Sequence, residues 1–356
     1  MIETGVLKIA DMTCILVTGG TGFLGSHLVD RLVALGTNVR ILARPTSSLE
    51  NIREHIHKAD IEIIRGDLLH PDSLQRACDG VDAVFHTAAA VDFSLPEKTF
   101  QEVNIHALRE FVNLACDAGI ARFVHVSSVG FYRWSSQYID ERVEQHPTNA
   151  YEATKLEGER IVLQAHRARG LSATVIQPSF IYGPRARIGV LELIWWVKKG
   201  WLPHIDGGIH RLNMVYVSDV VDAMILAAEK EEAVGEHFVI GRHISPTYRE
   251  IMDVVAESLN VSPPRWSVPY WLAKPVAVFL QSVGDLLGMK PYRFADYLDY
   301  TIRDGVLDIS KASRVLGFQP KVALKEGMAK TVAWFQEHRG PIRNRESLTL
   351  AKGFMH

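Results

Sequence analysis

The 356-residue chain has few cysteines, and their arrangement argues against two classes of site. It contains only Cys14, Cys78 and Cys116. An odd number of widely spaced cysteines matches neither a disulfide framework nor the paired spacing of a zinc site. We therefore expect three reduced thiols that behave as small buried hydrophobic side chains.

Histidines are numerous, but they do not form a recognisable metal-binding pattern. There are 15 of them, with no HExxH sequence and no cluster of cysteine and histidine. His86, His125 and His237 fall within apolar strand patterns, where we expect core residues with satisfied hydrogen bonds. The sequence therefore predicts no metal site.

The chain has no large excess of either charge. Lysine and arginine number 39, aspartate and glutamate 41, and the net charge is −2. This balance provides no basic surface for nucleic acid and no acidic tail. We expect a small molecule as the partner, and no nucleic acid.

Long apolar runs are also missing, so no transmembrane segment is predicted. The nearest candidate, Val268–Met289, is interrupted by Lys274, Pro275, Gln281 and Asp285. We interpret it as an amphipathic pair of helices. The first 12 residues are mixed in character and do not resemble a signal peptide. We expect a cytoplasmic protein.

Short apolar segments alternate with helical patterns through the first half of the chain. We predict strands at Thr13–Thr18, Val39–Ala43, Ile61–Ile64, Val81–His86, Phe123–Val126 and Ala173–Gln177. Because these strands are apolar without alternation, helices should cover both faces of their sheet. Right-handed crossovers then give an α/β fold with a doubly wound, mostly parallel sheet and a ligand crevice at the strand carboxyl ends.

A glycine-rich turn follows the first predicted strand and precedes a leucine-striped helix. Gly19, Gly22 and Gly25 have the spacing GxxGxxG, with Phe23 and Leu24 between the last two. Gly19 permits a tight turn, Gly22 lets the backbone approach a pyrophosphate, and Gly25 lets the helix pack close to the strand. The helix N-terminus then provides amide groups for the phosphates. A purely structural turn is the alternative.

The remainder of the chain is organised around this dinucleotide-binding unit. We assign residues 13–177 to the dinucleotide-binding domain, with returning elements near 214–240. Prolines and glycines then break up residues 178–339, which we predict to be a smaller, mainly helical substrate-binding lobe. Residues 1–12 form an N-terminal extension, and residues 340–356 a tail that we expect to be mobile.

The ends of the second, third and fourth strands indicate how the cofactor is bound. The second strand ends at Arg44 instead of a carboxylate, which favours the 2′-phosphate of NADP, although NAD stays open. Asp67 and Leu68 end the third strand and could enclose the adenine, or Asp67 could cap the next helix. Ala88 and Ala89 follow the fourth strand at the same edge.

Tyr151 and Lys155 stand four residues apart, so they share one face of a predicted helix. A free phenol titrates near 10, but a neighbouring ammonium favours the phenolate. The phenol can then exchange a proton with a carbonyl or an alcohol, and Lys155 can hold the nicotinamide ribose. A tyrosine and a lysine at this spacing often occur by chance. The glycine turn earlier in the chain is what favours a catalytic role for this pair.

Two further polar residues lie near this pair in the predicted fold. Ser128 follows the fifth strand and could hydrogen-bond the reacting oxygen, with Ser127 as the fallback. Asn104 could fix a backbone segment or a water near the site, or be purely structural. Trp195, Trp196 and Trp201 could line an apolar pocket, but their helical spacing favours core packing.

Together these motifs resemble the extended short-chain dehydrogenase/reductase family, also called the NAD(P)-dependent epimerase/dehydratase family, over roughly residues 13–338. The runs Gln177–Pro184, Asn213–Asp219, Asp308–Ala312 and Leu316–Pro320 resemble further family segments. Gln177 stands where arginine is usual. The resemblance implies a Rossmann fold, an NAD or NADP cofactor, a catalytic set of Ser128, Tyr151 and Lys155, and often a homodimer. It also implies that the backbone near Pro178 and Ile181 meets the nicotinamide amide.

Within the family, the chain resembles the dihydroflavonol reductase and 3β-hydroxysteroid dehydrogenase-like group. The Arg44-Pro45-Thr46 turn and the apolar segment Tyr270–Met289 carry this likeness. Nucleotide-sugar epimerases usually place two arginines in the lobe to bind a diphosphate. At the first position this chain has Leu212 and Asn213, with Arg211 adjacent. At the second, only a shifted alignment offers Arg303 or Arg293.

We therefore predict an oxidoreductase that transfers hydride between a nicotinamide and a carbonyl or alcohol of a mostly apolar small molecule. Asp92, Phe93 and Tyr182 are candidates for the substrate wall. A nucleotide-sugar epimerase or dehydratase that retains NAD is the enzymatic alternative. A non-catalytic protein that senses NADP(H) is a third hypothesis, against which the intact catalytic set argues.

Overall fold

The structure is a computed structural model that describes residues 8–58, 60–93, 95–134, 138–187, 189–286 and 294–338. The predicted tail at 340–356 and the first seven residues of the predicted N-terminal extension lie outside these ranges. Within the described ranges, no helix is both long enough and apolar enough to cross a bilayer.

The six strands predicted from the sequence are all present, with ends that differ by two residues or fewer. The strands of the described residues are β1 (Ile15–Thr18), β2 (Val39–Ala43), β3 (Ile61–Arg65), β4 (Ala83–His86), β5 (Arg122–Val126), β6 (Tyr138–Ile139), β7 (Ala173–Pro178), β8 (Phe180–Tyr182), β9 (His204–Ile205), β10 (Met214–Tyr216), β11 (His237–Ile240), β12 (Ser267–Val268) and β13 (Val306–Leu307). The six predicted strands are β1, β2, β3, β4, β5 and β7.

Helices connect these strands and form most of the chain after β8. They are α1 (Phe23–Ala34), α2 (Arg53–Lys58), α3 (Pro71–Cys78), α4 (Glu97–Gln101), α5 (Leu108–Asp117), α6 (Ala150–Arg169), α7 (Val190–Lys199), α8 (Val217–Glu229), α9 (Tyr248–Leu259), α10 (Tyr270–Leu286), α11 (Phe294–Thr301), α12 (Ser310–Leu316) and α13 (Leu324–His338). A π-helical stretch, Glu102–Ala107, joins α4 to α5.

Seven parallel strands form the central sheet, in the order β11-β7-β5-β4-β1-β2-β3. Successive side chains of β1 enter different cores: Ile15 and Val17 lie in one, and Leu16 in the other. Helices α1 and α8 cover the first face, and α3, α5 and α6 cover the second. Burial on both faces explains why these strands are apolar without alternation.

The strand order reverses between β1 and β4, because β2 and β3 extend to one side and β5, β7 and β11 to the other. In open α/β sheets, such a reversal leaves a crevice at the carboxyl ends of the strands. The structure thus confirms the predicted doubly wound parallel sheet.

A third core, built on α7, α9 and α13, lies beyond β8. Short parallel pairs, β8 with β10 and β9 with β12, connect it to the rest of the chain. Val268–Met289 was predicted as two helices, but one continuous helix, α10, occupies Tyr270–Leu286 with Pro275 inside it. Pro275 is the sixth residue of α10 and has no amide hydrogen, so it cannot donate the usual helical hydrogen bond to the Trp271 carbonyl.

Candidate active site

A cavity of about 1740 Å³ opens at the carboxyl ends of the central strands. Typical small-molecule pockets hold about 300–1,000 Å³, so this one has room for a dinucleotide and a second molecule. It is lined by every predicted cofactor and catalytic residue: Gly19, Gly22, Phe23, Leu24, Gly25, Arg44, Asp67, Leu68, Ala88, Ala89, Ser128, Tyr151, Lys155, Pro178 and Ile181.

The glycine turn has the backbone geometry that its spacing predicts. Gly19 has a φ of +74°, and the Gly22 amide donates to the Gly19 carbonyl at 2.8 Å before α1 begins at Phe23. A Cβ at Gly25 would lie 2.2 Å from the Gly19 carbonyl oxygen. The close approach that requires Gly25 is therefore to the turn itself, and not to the strand as predicted.

The space beside Gly22 fits a phosphate group. A Cβ at Gly22 would meet only the Gly19 carbonyl oxygen, at 3.1 Å. The first amides of α1 have no helical partners and lie at the same edge of the cavity. An unhindered surface at a helix N-terminus is the arrangement that binds the pyrophosphate of a dinucleotide.

Arg44 lies exposed at the far end of the cavity, near Thr46, Ser47 and Ser48 in its lining. The Nη1 of Arg65, at the end of β3, donates to the Arg44 carbonyl at 3.3 Å. A second guanidinium therefore stands at this end. No sequence pattern pointed to Arg65, because it ends an otherwise ordinary edge strand.

Asp67 lies at the same end of the cavity. Its carboxylate accepts a hydrogen bond from the Leu69 amide at 3.0 Å, while the N-cap of α3 is His70. The alternative interpretation of Asp67 as a helix cap is wrong, because the helix begins three residues later than that role requires.

Helix α6 presents Tyr151 and Lys155 to the cavity. Burial raises the pKa of Tyr151 to about 12, a hydrogen bond with Ser128 lowers it, and the charge of Glu152 raises it. The expectation that Lys155 lowers the pKa of Tyr151 is not met here. The Lys155 ammonium instead donates to the Val126 carbonyl. Burial lowers the pKa of Lys155 itself to about 8.

Asn104 fixes two walls of the cavity to each other. Its amide oxygen accepts from the Ala90 amide at 2.8 Å, and its amide nitrogen donates to the Ala90 carbonyl at 3.0 Å and to Thr154 Oγ1 at 3.1 Å. Asn104 lies in the π-helical stretch, a feature that often occurs at functional sites. Of the two interpretations left open, the structure favours fixing a backbone segment.

Glu152, directly after Tyr151, is fully buried and anchors a distant segment. Its carboxylate accepts hydrogen bonds from the Tyr300 hydroxyl at 2.7 Å and from Arg303 Nη1 at 2.7 Å. Thr148 donates to the other oxygen through its amide and its hydroxyl. Arg303 is therefore held against α6, although the shifted alignment offered it for a diphosphate.

Glu159 occupies the next turn of α6 after Lys155 and is only 3% exposed. The Gln177 amide donates to it at 2.7 Å and accepts from the Tyr132 hydroxyl at 2.9 Å. Burial raises the pKa of Glu159 to about 7. Gln177 stands where the family has arginine, so a neutral amide faces this carboxyl group.

The part of the cavity beyond Tyr151 is mainly apolar. Phe93 stands between the rings of Tyr151, at 5.8 Å, and Tyr300, at 5.7 Å. Asp92 also lines the cavity. Further out, the walls come from α7, from the segment directly after it and from α10: Trp196, Trp201, Leu202, Leu272, Val276 and Leu280.

Two predictions about aromatic residues need correction. Trp196 and Trp201 line the cavity, so core packing was the wrong interpretation for them, whereas Trp195 packs at the edge of the third core. Tyr182 was predicted for the substrate wall, but it is fully buried against Tyr216 and does not line the cavity. Its strand, β8, turns that side chain towards the core.

The buried histidines are only partly as predicted. His86 Nδ1 is paired with Thr18 Oγ1 at 2.7 Å, and His125 stacks on His86. Within the described part of the chain, neither ring nitrogen of His125 has a hydrogen-bond partner, and Nε2 of His237 lacks one too. Burial and the nearby Lys155 lower the pKa of the His86 and His125 imidazoles. Among the described residues, no group of three or more histidine, cysteine, aspartate or glutamate side chains could hold a metal ion.

The chain is similar to known proteins over most of its length. The model of the NAD dependent epimerase/dehydratase family matches residues 15–241. A 4-hydroxy-2-methyl-3-oxo-4-farnesyl-3,4-dihydroquinoline-1-oxide ketoreductase of Stigmatella aurantiaca is 28% identical, over 88% of this chain and 93% of that protein. The bovine decarboxylating sterol-4-alpha-carboxylate 3-dehydrogenase is also 28% identical, over 91% and 92%.

Solved structures share the whole architecture. A dTDP-glucose 4,6-dehydratase from Streptomyces venezuelae, determined as a double mutant with NAD bound, superposes with a TM-score of 0.76. It is 26% identical and covers 92% of this chain and 98% of its own. The same fold therefore carries both kinds of reaction that the sequence analysis left open.

Proposed function

Because the chain belongs to the NAD dependent epimerase/dehydratase family, we propose that it is an NADP-preferring reductase or dehydrogenase of a mostly apolar small molecule. One observation carries this proposal: the hydroxyl groups of Ser128 and Tyr151 meet in a cavity whose outer walls are apolar. The relatives named for a ketoreductase and a sterol dehydrogenase support it.

The residues present fit a nicotinamide dinucleotide. The turn at Gly19–Gly25 would hold the pyrophosphate, Asp67 and Leu68 the adenine, and Lys155 the nicotinamide ribose. The backbone near Pro178 and Ile181 would meet the nicotinamide amide. When bound, the cofactor supplies or accepts the hydride.

Tyr151 is the proposed general acid or base. With a pKa of about 12 its phenol is protonated at neutral pH, which is the form that donates a proton to a carbonyl oxygen during reduction. The Ser128 hydroxyl orients that oxygen. Asn104 holds the Ala88–Ala90 segment against α6 through its hydrogen bonds with Ala90 and Thr154.

The preference for NADP rests on Arg44 and Arg65. Arg44 is exposed and lines the adenosine end of the cavity, where a 2′-phosphate would lie, and Arg65 is exposed beside it with its Nη1 on the Arg44 carbonyl. A phosphate held by arginine forms charge-assisted hydrogen bonds. We therefore propose that residues 13–177 select NADP, while residues 178–339 shape the substrate site.

A nucleotide-sugar epimerase or dehydratase is the second candidate. Two exposed arginines, Arg187 and Arg211, line the cavity and could face a diphosphate. Arg303 is held by Glu152, and Arg293 lies outside the described residues. Leu212, which stands where nucleotide-sugar epimerases usually have arginine, carries no charge that could bind a diphosphate.

The test combines cofactor binding with cofactor consumption. We expect NADPH to bind more tightly than NADH, and Arg44→Ala to weaken NADPH binding on the order of tenfold or more. Arg53→Ala, which removes an exposed arginine of α2, serves as the control. Apolar ketones and aldehydes should then oxidise NADPH, and Tyr151→Phe should abolish turnover while leaving NADPH binding intact.

Other outcomes would contradict the proposal. NADH binding that Arg44→Ala leaves unchanged would refute the phosphate assignment. Conversion of a nucleotide sugar without net cofactor consumption would support the epimerase or dehydratase. Cofactor binding without turnover of either substrate class would leave the sensor hypothesis.

A further inference from the structure

We propose that α10 forms a docking surface for a phospholipid membrane at the mouth of the cavity. Large apolar side chains of this helix are exposed, among them Trp271, Leu272, Val276, Phe279, Leu280 and Leu286. Trp271 is 73%, Phe279 66% and Leu286 86% exposed. We call these six residues the apolar face. Contiguous apolar surface of this kind marks an interaction site.

The apolar face is the free side of a helix that is fastened along its other side. At about 100° per residue, its six positions cover roughly half of the helix circumference. On the opposite side, Ala277 is 6% exposed, and Lys274 Nζ donates to the Ala295 carbonyl at 2.9 Å and to Asp299 at 2.5 Å. Helix α11 thus fixes the rotation of α10 and leaves the apolar face outward.

The apolar face is continuous with the rim of the cavity. Leu272, Val276 and Leu280 line the cavity and are also 48%, 52% and 46% exposed. Trp201, which also lines the cavity, is 63% exposed. Any occupant of the apolar face therefore also lies across the mouth of the cavity.

This position favours a lipid surface over a protein partner. A protein or a second copy of the chain seated on the rim would obstruct exchange of the cavity's contents. A bilayer is fluid and dissolves apolar molecules, so it can cover the rim and still exchange them. The docking itself does not depend on the proposed function; only the delivery of an apolar substrate rests on it.

Charged and aromatic residues near the rim agree with a lipid interface. The exposed Lys198 and Lys199 end α7 just before Trp201, and Lys199 Nζ lies 5.7 Å from the Trp195 ring. Exposed Arg265 precedes Trp266, which is 51% exposed. Tryptophan and basic residues beside an apolar helix face are typical of helices that lie in the headgroup region of anionic membranes.

The geometry indicates a helix that lies on the membrane. Helix α10 has 17 residues, about 26 Å at 1.5 Å per residue. A spanning helix needs roughly 20 apolar residues, and Lys274 together with Pro275 interrupts this one. Insertion of the apolar face to a shallow depth leaves the fastened side in contact with the protein.

The test measures binding of the full chain to vesicles of equimolar phosphatidylcholine and phosphatidylglycerol. We expect the wild-type protein to sediment with them. The double variant Trp271→Glu/Phe279→Glu should reduce partitioning on the order of tenfold or more. Tyr138→Glu changes an aromatic residue that is 74% exposed on β6 and should sediment as the wild type does.

A second measurement keeps the test valid if the double variant misfolds. Brominated lipids should quench the tryptophan fluorescence of the wild-type protein, and Trp271→Phe should lose part of this quenching while still binding. Wild-type protein that stays in the supernatant overturns the proposal. A concentration-dependent dimer also overturns the proposal if the double substitution dissociates it and vesicles do not compete with it. In that case a second copy of the chain covers the apolar face.

Discussion

The two halves of the cavity are built by different means. The proposed cofactor half consists of backbone turns at the ends of neighbouring strands, where close contacts at Gly19 and Gly25 leave no room for a Cβ. The proposed substrate half consists of side chains from α7, α10 and α11, held to α6 by contacts such as Glu152 with Arg303. The first half is constrained by its own backbone, and the second by packing between distant segments.

The two halves therefore place different demands on the sequence. A pyrophosphate requires free backbone amides and the absence of Cβ atoms at its contact surface. A substrate wall requires only that some apolar side chain fills the space. The following predictions separate the two kinds of construction.

The largest expected effect belongs to the glycine turn. A Cβ at Gly25 would lie 2.2 Å from the Gly19 carbonyl oxygen and 2.8 Å from Thr87 Oγ1. We expect Gly25→Ala to lower the free energy of unfolding by more than about 4 kcal/mol and to abolish NADPH binding. Chemical denaturation and calorimetry measure the two effects.

Gly22→Ala is the matched variant, since its Cβ would meet a protein atom only at 3.1 Å. It should weaken NADPH binding while keeping the free energy of unfolding within about 1 kcal/mol of the wild type. If both variants lost stability equally, the Gly22 position would be structural and not part of the cofactor surface.

The second-largest effect is expected at Arg303, which anchors the substrate half of the cavity through its ion pair with Glu152. Arg303→Met leaves the fully buried Glu152 carboxylate without its cation. We expect it to lower the free energy of unfolding by about 3 kcal/mol. Adding Glu152→Gln should recover part of this loss, because the uncompensated charge is then removed.

The control for Arg303 is another arginine–carboxylate pair. Arg133→Met breaks a pair with Glu144 in which both side chains are more than half exposed, so we expect a much smaller loss of unfolding free energy than at Arg303. Equal losses of unfolding free energy in the Arg303 and Arg133 variants would show that burial does not strengthen the pair of Arg303 with Glu152.

The buried carboxyl group of Glu159, on the side of α6 that faces the sheet, predicts that the free energy of unfolding depends on pH. Its pKa is raised from the ordinary 4.5 to about 7, so the folded protein binds a proton that the unfolded chain releases. Stability should therefore fall as pH rises from about 4.5 to 7. Glu159→Gln should remove about 3 kcal/mol of this fall.

Denaturation at several pH values measures the slope. Glu157→Gln, on the exposed side of the same helix, should keep the wild-type profile. Gln177→Arg should also flatten the slope, since a buried cation would favour the ionised carboxylate. An unchanged slope in Glu159→Gln would assign the pH dependence to other groups.

The smallest expected effect lies on the outer face of the substrate half. Phe279→Ser, at a side chain that is 66% exposed, should change the free energy of unfolding by no more than about 0.5 kcal/mol. Phe111→Ala, in the core beside the central sheet, should lower it by about 3–5 kcal/mol. A large effect at Phe279 would mean that α10 is covered within the folded protein.

Much of the first half could be predicted because local patterns and global architecture agree there. The strand β2 was predicted exactly, and the glycine turn, Tyr151 and Lys155 meet in one cavity as expected. Tyr182 was misplaced because a motif tells nothing about which face of a two-stranded pair enters the core. Trp196 and Trp201 were misjudged because helical spacing is the same for a core and for a cavity wall.

The sequence by itself determined the elements whose chemistry lies in short segments: the apolar strands, the glycine turn and the i, i+4 pair of α6. Backbone conformation and helix periodicity are local properties, so a few neighbouring residues specify them. The tertiary structure alone decided that Arg303 pairs with Glu152, that Gln177 faces Glu159, and that α10 turns an apolar face outward. These contacts join segments up to about 150 residues apart, and only the packed chain sets which side chains meet and which stay exposed.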